Sequence, residues 1–417
     1  MSVYLQVLRT NRNVRRLWYG QVVSQIGDWL DSVALFTLLL TLTGSGQAVG
    51  LLFLAEFLPG AVVGPFAGVV VDRLPRKLVL IASDLGRAAL VLLLLLVNSR
   101  ADLWLLYLAV VAKVSLSAFF EPARSAILPS LCRREELVAA NAISGATWSA
   151  MLALGAALGG IVAGTLGVRA AFLLDAASFL LSAALIATVR VASGQAPTGA
   201  TQSPAPRPSA LVELRDGLRY VLTHPAVRWL TFSKAIWSLG GGVLLLLTLY
   251  GREIFPIGRD GAISIGLLYA ARGVGTGIGP FLALRLGGEG QRFLRRAVAG
   301  SFFISAAGYL ALSGLASLPL AALAVLFAHV GGSIQWVFST SLLQTRVPDR
   351  LLGRVFATEY AALTLTTALS AYLTGVARDA GASPALLAVA LGGIFAASGV
   401  FMVAVLWPER TDAGQPS

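Results

Sequence analysis

Charge is scarce in this chain. Only 12% of its 417 residues are Asp, Glu, Lys or Arg, 57% are hydrophobic, and the mean hydropathy is +0.79. A water-soluble domain cannot be built from that mixture, because too few polar groups remain to cover its surface. Cysteine is nearly absent as well. The single Cys132 excludes a disulfide framework and makes no zinc site by itself. The two histidines, His224 and His329, lie far apart, no metal cluster is visible and no nucleophile has an evident base, all of which argue against an enzyme. A nucleotide-binding motif is also missing. RGVGTGIGP, Arg272 to Pro280, lacks both GxGxxG spacing and the Lys-Ser/Thr ending of a phosphate loop, so it reads as helix packing. With no cofactor expected and no ATP site, an ion gradient is the remaining energy source.

What is abundant is long apolar sequence. Stretches near 17–42, 48–71, 78–97, 103–128, 138–163 and 168–190 are followed by others near 226–250, 261–286, 293–314, 318–345, 352–376 and 384–407. At about 20 residues per bilayer crossing these are six spans and six more. The expected fold is an all-α polytopic membrane protein of twelve transmembrane helices in two six-helix bundles. The net charge of +12 comes from arginines scattered between spans, a pattern of topology and not of nucleic-acid binding. With the N-terminus inside, 23 of the 32 Lys and Arg fall on the cytoplasmic side, which places both termini there. Arg9, Arg12, Arg15 and Arg16 precede a long first span without a cleavage site, so that span reads as a retained helix and not a signal peptide.

The chain also repeats itself. GLLFLAE (Gly50 to Glu56) parallels GLLYAAR (Gly266 to Arg272), and GPFAGVVVDRLPRK (Gly64 to Lys77) parallels GPFLALRLGGEGQR (Gly279 to Arg292). Each half holds an even number of spans, so the bundles share one orientation and are pseudo-symmetric about an axis along the membrane normal. The expected organisation is an N-terminal bundle at 1–190, a Pro/Ser/Gly/Ala-rich flexible linker at 191–210, and a C-terminal part at 211–417 that opens with a short surface helix at 211–224. In the second copy Gly287 and Gly288 stand where Asp72 and Arg73 would be, which predicts that this copy tolerates substitutions that cripple the first.

The pattern Gly68-x-x-x-Asp72-Arg73-x-x-Arg76-Lys77, between spans two and three, resembles the signature of the major facilitator superfamily. The resemblance implies a cytoplasmic latch, with Gly68 allowing close helix approach, Asp72 accepting from a helix N-terminus, and Arg76 pairing with an acid at the end of span four, for which Glu121 is the candidate. Pro75 stands where the family often has Gly. Further segments, IGDWLDSVAL (Ile26 to Leu35), FFEPARSAILPSL (Phe119 to Leu131), ELVAANAISG (Glu136 to Gly145), AFLLDAASFL (Ala171 to Leu180) and RVPDRLLGRVFA (Arg346 to Ala357), are similar to the bacterial subgroup of enterobactin exporters and macrolide efflux proteins. GAALGGIVAG, with Gly155, Gly159, Gly160 and Gly164, resembles the antiporter motif of span five and predicts one flat helix face for tight packing.

Charges inside spans are costly and point to function. In span one Gln21, Gln25, Asp28 and Ser32 follow at i, i+4, i+7 and i+11, a single polar stripe with Asp31 nearby, and Asp28 falls near midplane. Asp28 is the first choice for a proton-titrating or substrate-binding acid. Glu56 and Arg272 occupy matching repeat positions with opposite charge and either pair or face a cavity separately. Asp175, Lys113, Lys234 and His329 are secondary candidates, and for Asp175 the resemblance implies a packing role. The resulting expectation is a monomeric secondary exporter of the bacterial inner membrane, embedded in the lipid bilayer and using a proton gradient to expel an amphipathic small molecule (drug, macrolide or siderophore). A lysophospholipid flippase of the same fold is the alternative, and a non-transporting sensor the minor one.

Overall fold

The computed structural model describes residues 3–132, 136–190, 210–288 and 290–406. The expected linker at 191–210 lies outside the described residues, apart from Ala210. Among the described residues the chain forms fifteen α-helices and no strand. They are α1 (Val3–Thr10), α2 (Arg12–Thr43), α3 (Gly46–Arg73), α4 (Arg76–Leu93), α5 (Leu103–Ile127), α6 (Leu137–Thr165), α7 (Val168–Ala187), α8 (Ala210–Thr223), α9 (Pro225–Trp237), α10 (Val243–Leu249), α11 (Ala262–Gly287), α12 (Gln291–Leu312), α13 (Leu318–Arg346), α14 (Asp349–Asp379) and α15 (Pro384–Leu406).

Eleven helical segments among the described residues are long and apolar enough to cross a membrane. The twelfth expected span is α12, 22 residues long, whose Arg292, Arg295 and Arg296 crowd its first two turns and dilute its hydropathy. Span seven is not one helix but two, α9 and α10. Three successive glycines, Gly240 to Gly242, weaken the helix at the break. They also let neighbours in, since a Cβ at Gly240 would lie 2.3 Å from the Phe395 ring. Two of the backbone groups at the break are satisfied by one side chain. Ser370 Oγ accepts from the Gly242 amide at 3.0 Å and donates to the Leu239 carbonyl at 2.6 Å.

The chain divides into two compact units, one of residues 1–44, 55–207 and 256–270, the other of 45–54, 208–255 and 271–417. This differs from the expected cut at the linker, because two short stretches are exchanged. Glycines explain both exchanges. In the first unit α6 crosses the start of α11 at Gly160 and Gly266, where a Cβ on Gly160 would lie 2.8 Å from the Gly266 Cα. In the second unit α14 crosses the start of α3, where a Cβ on Gly50 would lie 2.7 Å from the Tyr372 Cα and one on Gly375 would lie 2.4 Å from the Gly46 carbonyl oxygen. The second crossing is also capped. Asp379, at the end of α14, accepts from Ser45 Oγ at 2.6 Å and from the amides of Gly46 and Gln47 at 2.7 and 3.1 Å, placing an anion at the positive end of α3. Forcing a methyl group into the α6–α11 crossing costs about 1–3 kcal/mol by overpacking. Gly160→Ala is therefore expected to lower the melting temperature of the purified protein, whereas Gly300→Ala, with open space around it, leaves it unchanged or raised. Equal melting temperatures for the two variants would refute this packing account.

Within the first unit α2 packs on α6 and α7, and α4 on α5 and α7; within the second, α12 packs between α13 and α15, and α14 lies along α8 and α9. α8 covers the stretch expected to form a short surface helix, and Gly217 lets it approach the backbone of Arg354. The second copy of the repeat is less tolerant than expected. Gly287 leaves no room for a Cβ, which would lie 1.9 Å from the Phe293 ring, and Gly288 ends α11 at φ +74°, a backbone region that favours glycine.

Candidate functional site

The phase of α2 is set at its start, where Asn11 accepts from the Val14 amide at 3.1 Å and donates to the Leu131 carbonyl at 2.7 Å. From there the helical period brings Gln21, Gln25, Asp28 and Ser32 to one face, and all four line a cavity of about 570 Å³ inside the first unit. The other walls come from Arg87 of α4, Phe120, Glu121 and Arg124 of α5, and Ser144 and Trp148 of α6. Aromatic walls with a few convergent polar groups and this volume suit a drug-sized molecule.

Toward the basic end of the unit the polar groups are tied to one another. Arg124 donates to Ser144 Oγ at 2.9 Å and to Glu121 Oε2 at 2.8 Å, and Ser144 Oγ donates to Gln21 Oε1 at 3.1 Å. Gln21 thus joins α2 to α6. Deeper in, the arrangement is ionic. Lys113 of α5 pairs with Asp31, and Arg87 of α4 with Asp84; both acids are fully buried. The Arg87 guanidinium is also held between the rings of Phe120 and Phe179, at 4.6 and 4.3 Å from their centroids. Asp28 sits between the two cations, 3.7 Å from Lys113 and 3.8 Å from Arg87. Neither distance is that of a hydrogen bond. Its side chain is 36% exposed against 4% for Arg87, so of this pair a solute in the cavity mainly meets the carboxylate.

Two further acids share this field. Asp175 of α7 is fully buried, and Glu56 of α3 is close enough to Lys113, Asp31 and Asp28 to feel their charges. Five carboxylates therefore face two cations, an excess of three negative charges if all were ionised. Such an excess is not sustainable in a low-dielectric interior, where unpaired charges neutralise by taking up protons. Of this cluster, Asp28 is the carboxylate offered to the cavity.

The other sequence candidates fall elsewhere. Arg272 lies in the second unit, in the field of His329, whose Nε2 is 2.8 Å from the Tyr309 hydroxyl. Lys234 pairs with Glu359 at 3.0 Å, also in the second unit. The surroundings of Gly68 and the side chain of Asp72 lie outside what the structure describes. Arg73 is exposed. The expected pair of Arg76 with Glu121 is not formed, because Glu121 is taken by Arg124 one turn away on the same helix. Arg76 instead donates to the carbonyl of Ala126 at 2.7 Å, and Lys77 donates to those of Ala187 and Val189 at 2.7 and 2.8 Å. Both cations cap helix C-termini, α5 and α7, where the dipole favours positive charge. The glycines of α6 form two faces and not the single one expected. Gly155 and Gly159 abut Trp29 and Leu30 of α2, while Gly160 and Gly164 abut α11. Sequence reasoning missed Asp84 altogether and did not join Arg87 and Lys113 to the acids. Each is a charge in an otherwise apolar span, and that alone calls for a partner on another span.

A family profile described as the Major Facilitator Superfamily matches residues 17–371. The chain belongs to this superfamily. As a major facilitator it is a membrane-embedded transport protein with a small-molecule substrate, not an enzyme. It is 27% identical over 371 residues to the uncharacterised MFS-type transporter YfiS of Bacillus subtilis (strain 168), covering 87% of this chain and 86% of that one. Macrolide efflux protein A of Streptococcus pyogenes is 26% identical over 383 residues, covering 87% of this chain and 88% of its own. Among solved structures, the nucleoside transporter NupG superposes with a TM-score of 0.71 at 13% identity, over 94% of this facilitator and 99% of NupG, a likeness of fold alone.

Proposed function

We propose that this facilitator is a secondary exporter that expels an amphipathic small molecule by alternating access in exchange for protons, in a bacterial cytoplasmic membrane with both termini on the cytoplasmic side. The observation that carries the reading is Asp28, held loosely between Lys113 and Arg87 on the cavity wall within a cluster that has more carboxylates than cations. A solute in the cavity reaches this acid directly, and its ion pairs, at 3.7 and 3.8 Å, are long enough to be given up to a solute. Export as the direction draws support from the similarity to macrolide efflux protein A. Trp148, Trp29 and Phe120 supply the apolar surface an amphipathic solute needs.

Purified protein in liposomes, offered cationic, anionic and neutral amphiphiles with and without a pH gradient, tests this. The reading predicts that one class is concentrated only when the gradient is imposed. Movement that is equally fast without any gradient would replace it with the flippase reading.

A further inference from the structure

The proposed exchange uses Asp28, the one acid of the ionic cluster that lines the cavity, and leaves Asp175 without a role. Asp175 sits mid-way along α7, with Gly27 of α2 opposite, where a Cβ would lie 2.3 Å from Asp175 Oδ1 and 2.0 Å from Ser178 Oγ. Its side chain is fully buried. Oδ1 accepts one long hydrogen bond, 3.3 Å, from Ser178 Oγ, and Oδ2 is buried with no hydrogen-bond partner. The charged groups whose fields reach it are Lys113 from α5, Asp31 and Asp28 from α2, and Arg87 from α4. Both cations among them are already engaged, Lys113 by Asp31 and Arg87 by Asp84. An ionised carboxylate with one weak hydrogen bond and no cation of its own is not tenable at that depth. Gly27 and Asp31 are one turn apart on the same face of α2, so Asp31 and Asp175 address Lys113 from adjacent positions on two packed helices.

We propose that Asp175 is a second proton-holding residue of the transport cycle, protonated while Lys113 is paired with Asp31 and ionised when Lys113 moves across to it. The step is balanced. The O–H bond of the Asp175 carboxyl breaks, one forms on Asp31, and the Lys113 ammonium passes from the Asp31 carboxylate to the Asp175 carboxylate, leaving the charge of the group unchanged. Asp175 touches no substrate; it positions Lys113, which is also one of the two cations flanking Asp28. In this way the protonation of Asp28 is linked to the packing of α2 on α7. The inference rests on the proton-exchange reading of the same cluster for its purpose, but its test does not depend on transport.

The test is infrared spectroscopy of the purified full chain carrying 13C-labelled aspartate, which separates protonated aspartic acid from glutamic acid. Wild type at neutral pH is expected to show a protonated-aspartate carbonyl band, and Asp175→Asn is expected to lose it. Asp31→Asn, which leaves residue 175 intact but frees Lys113, is expected to lose the same band because Lys113 then ionises Asp175. A purely structural Asp175 would keep its band in that variant. Absence of any such band in wild type, or its survival in Asp31→Asn, overturns the proposal, even if Asp175→Asn fails to fold. If the bands behave as expected but flux proves independent of pH, the proton on Asp175 stands and the antiport reading falls.

Discussion

Asp28→Asn is expected to reduce gradient-driven export to the level of protein-free vesicles while leaving the protein folded. The amide has nearly the shape of the carboxylate, and residue 28 contributes no close hydrogen bond through its carboxylate, only ion pairs at 3.7 and 3.8 Å. Lys113 and Arg87 keep their own acids, Asp31 and Asp84, so neither cation is stranded. On the proposed exchange, what the variant loses is the proton site at the cavity wall. A thermal melt together with flux at two external pH values checks this. Normal melting with flux that no longer responds to external pH is the expected result, and flux that still rises with the gradient removes Asp28 from the mechanism.

Lys113→Met is expected to have the largest effect on stability. Removing one partner of a buried ion pair typically costs about 3–5 kcal/mol, because the other charge is left uncompensated. Here the stranded group is Asp31, which is fully buried and has one oxygen, Oδ1, already without a hydrogen-bond partner. The single variant should accumulate poorly and melt well below wild type. Pairing it with Asp31→Asn removes the stranded charge and should recover most of the lost stability without restoring transport. A double variant no more stable than the single one would show that Lys113 contributes by packing and not by charge.

The polar stripe of α2 was legible because it needs only the helical period within one segment, and the structure lines the cavity with Gln21, Gln25, Asp28 and Ser32 as that period requires. The partners of the stripe were not legible. Lys113 and Asp31 are 82 positions apart, and nothing in local pattern says which face of α5 meets α2. The same limit explains the turn after α3. Spacing identified Arg76 and Lys77 as a motif, yet whether a cation finds a carboxylate or a helix C-terminus depends on where α5 and α7 end in space. Span count followed from hydropathy, whereas the break between α9 and α10 needed Ser370 to satisfy the freed backbone, a residue 128 positions from Gly242. Likewise the glycines of α6 announced close packing but not that they serve two helices, α2 and α11, on two faces.

Proton counterflow measures the central claim most directly. In liposomes containing the purified protein, a trapped pH indicator follows proton movement when an amphipathic substrate identified by the flux panel is added to one side without any imposed gradient. The account predicts proton movement opposite in direction to the substrate, in fixed proportion to it, and abolished by Asp28→Asn. Substrate crossing with no accompanying change in the indicator would contradict it.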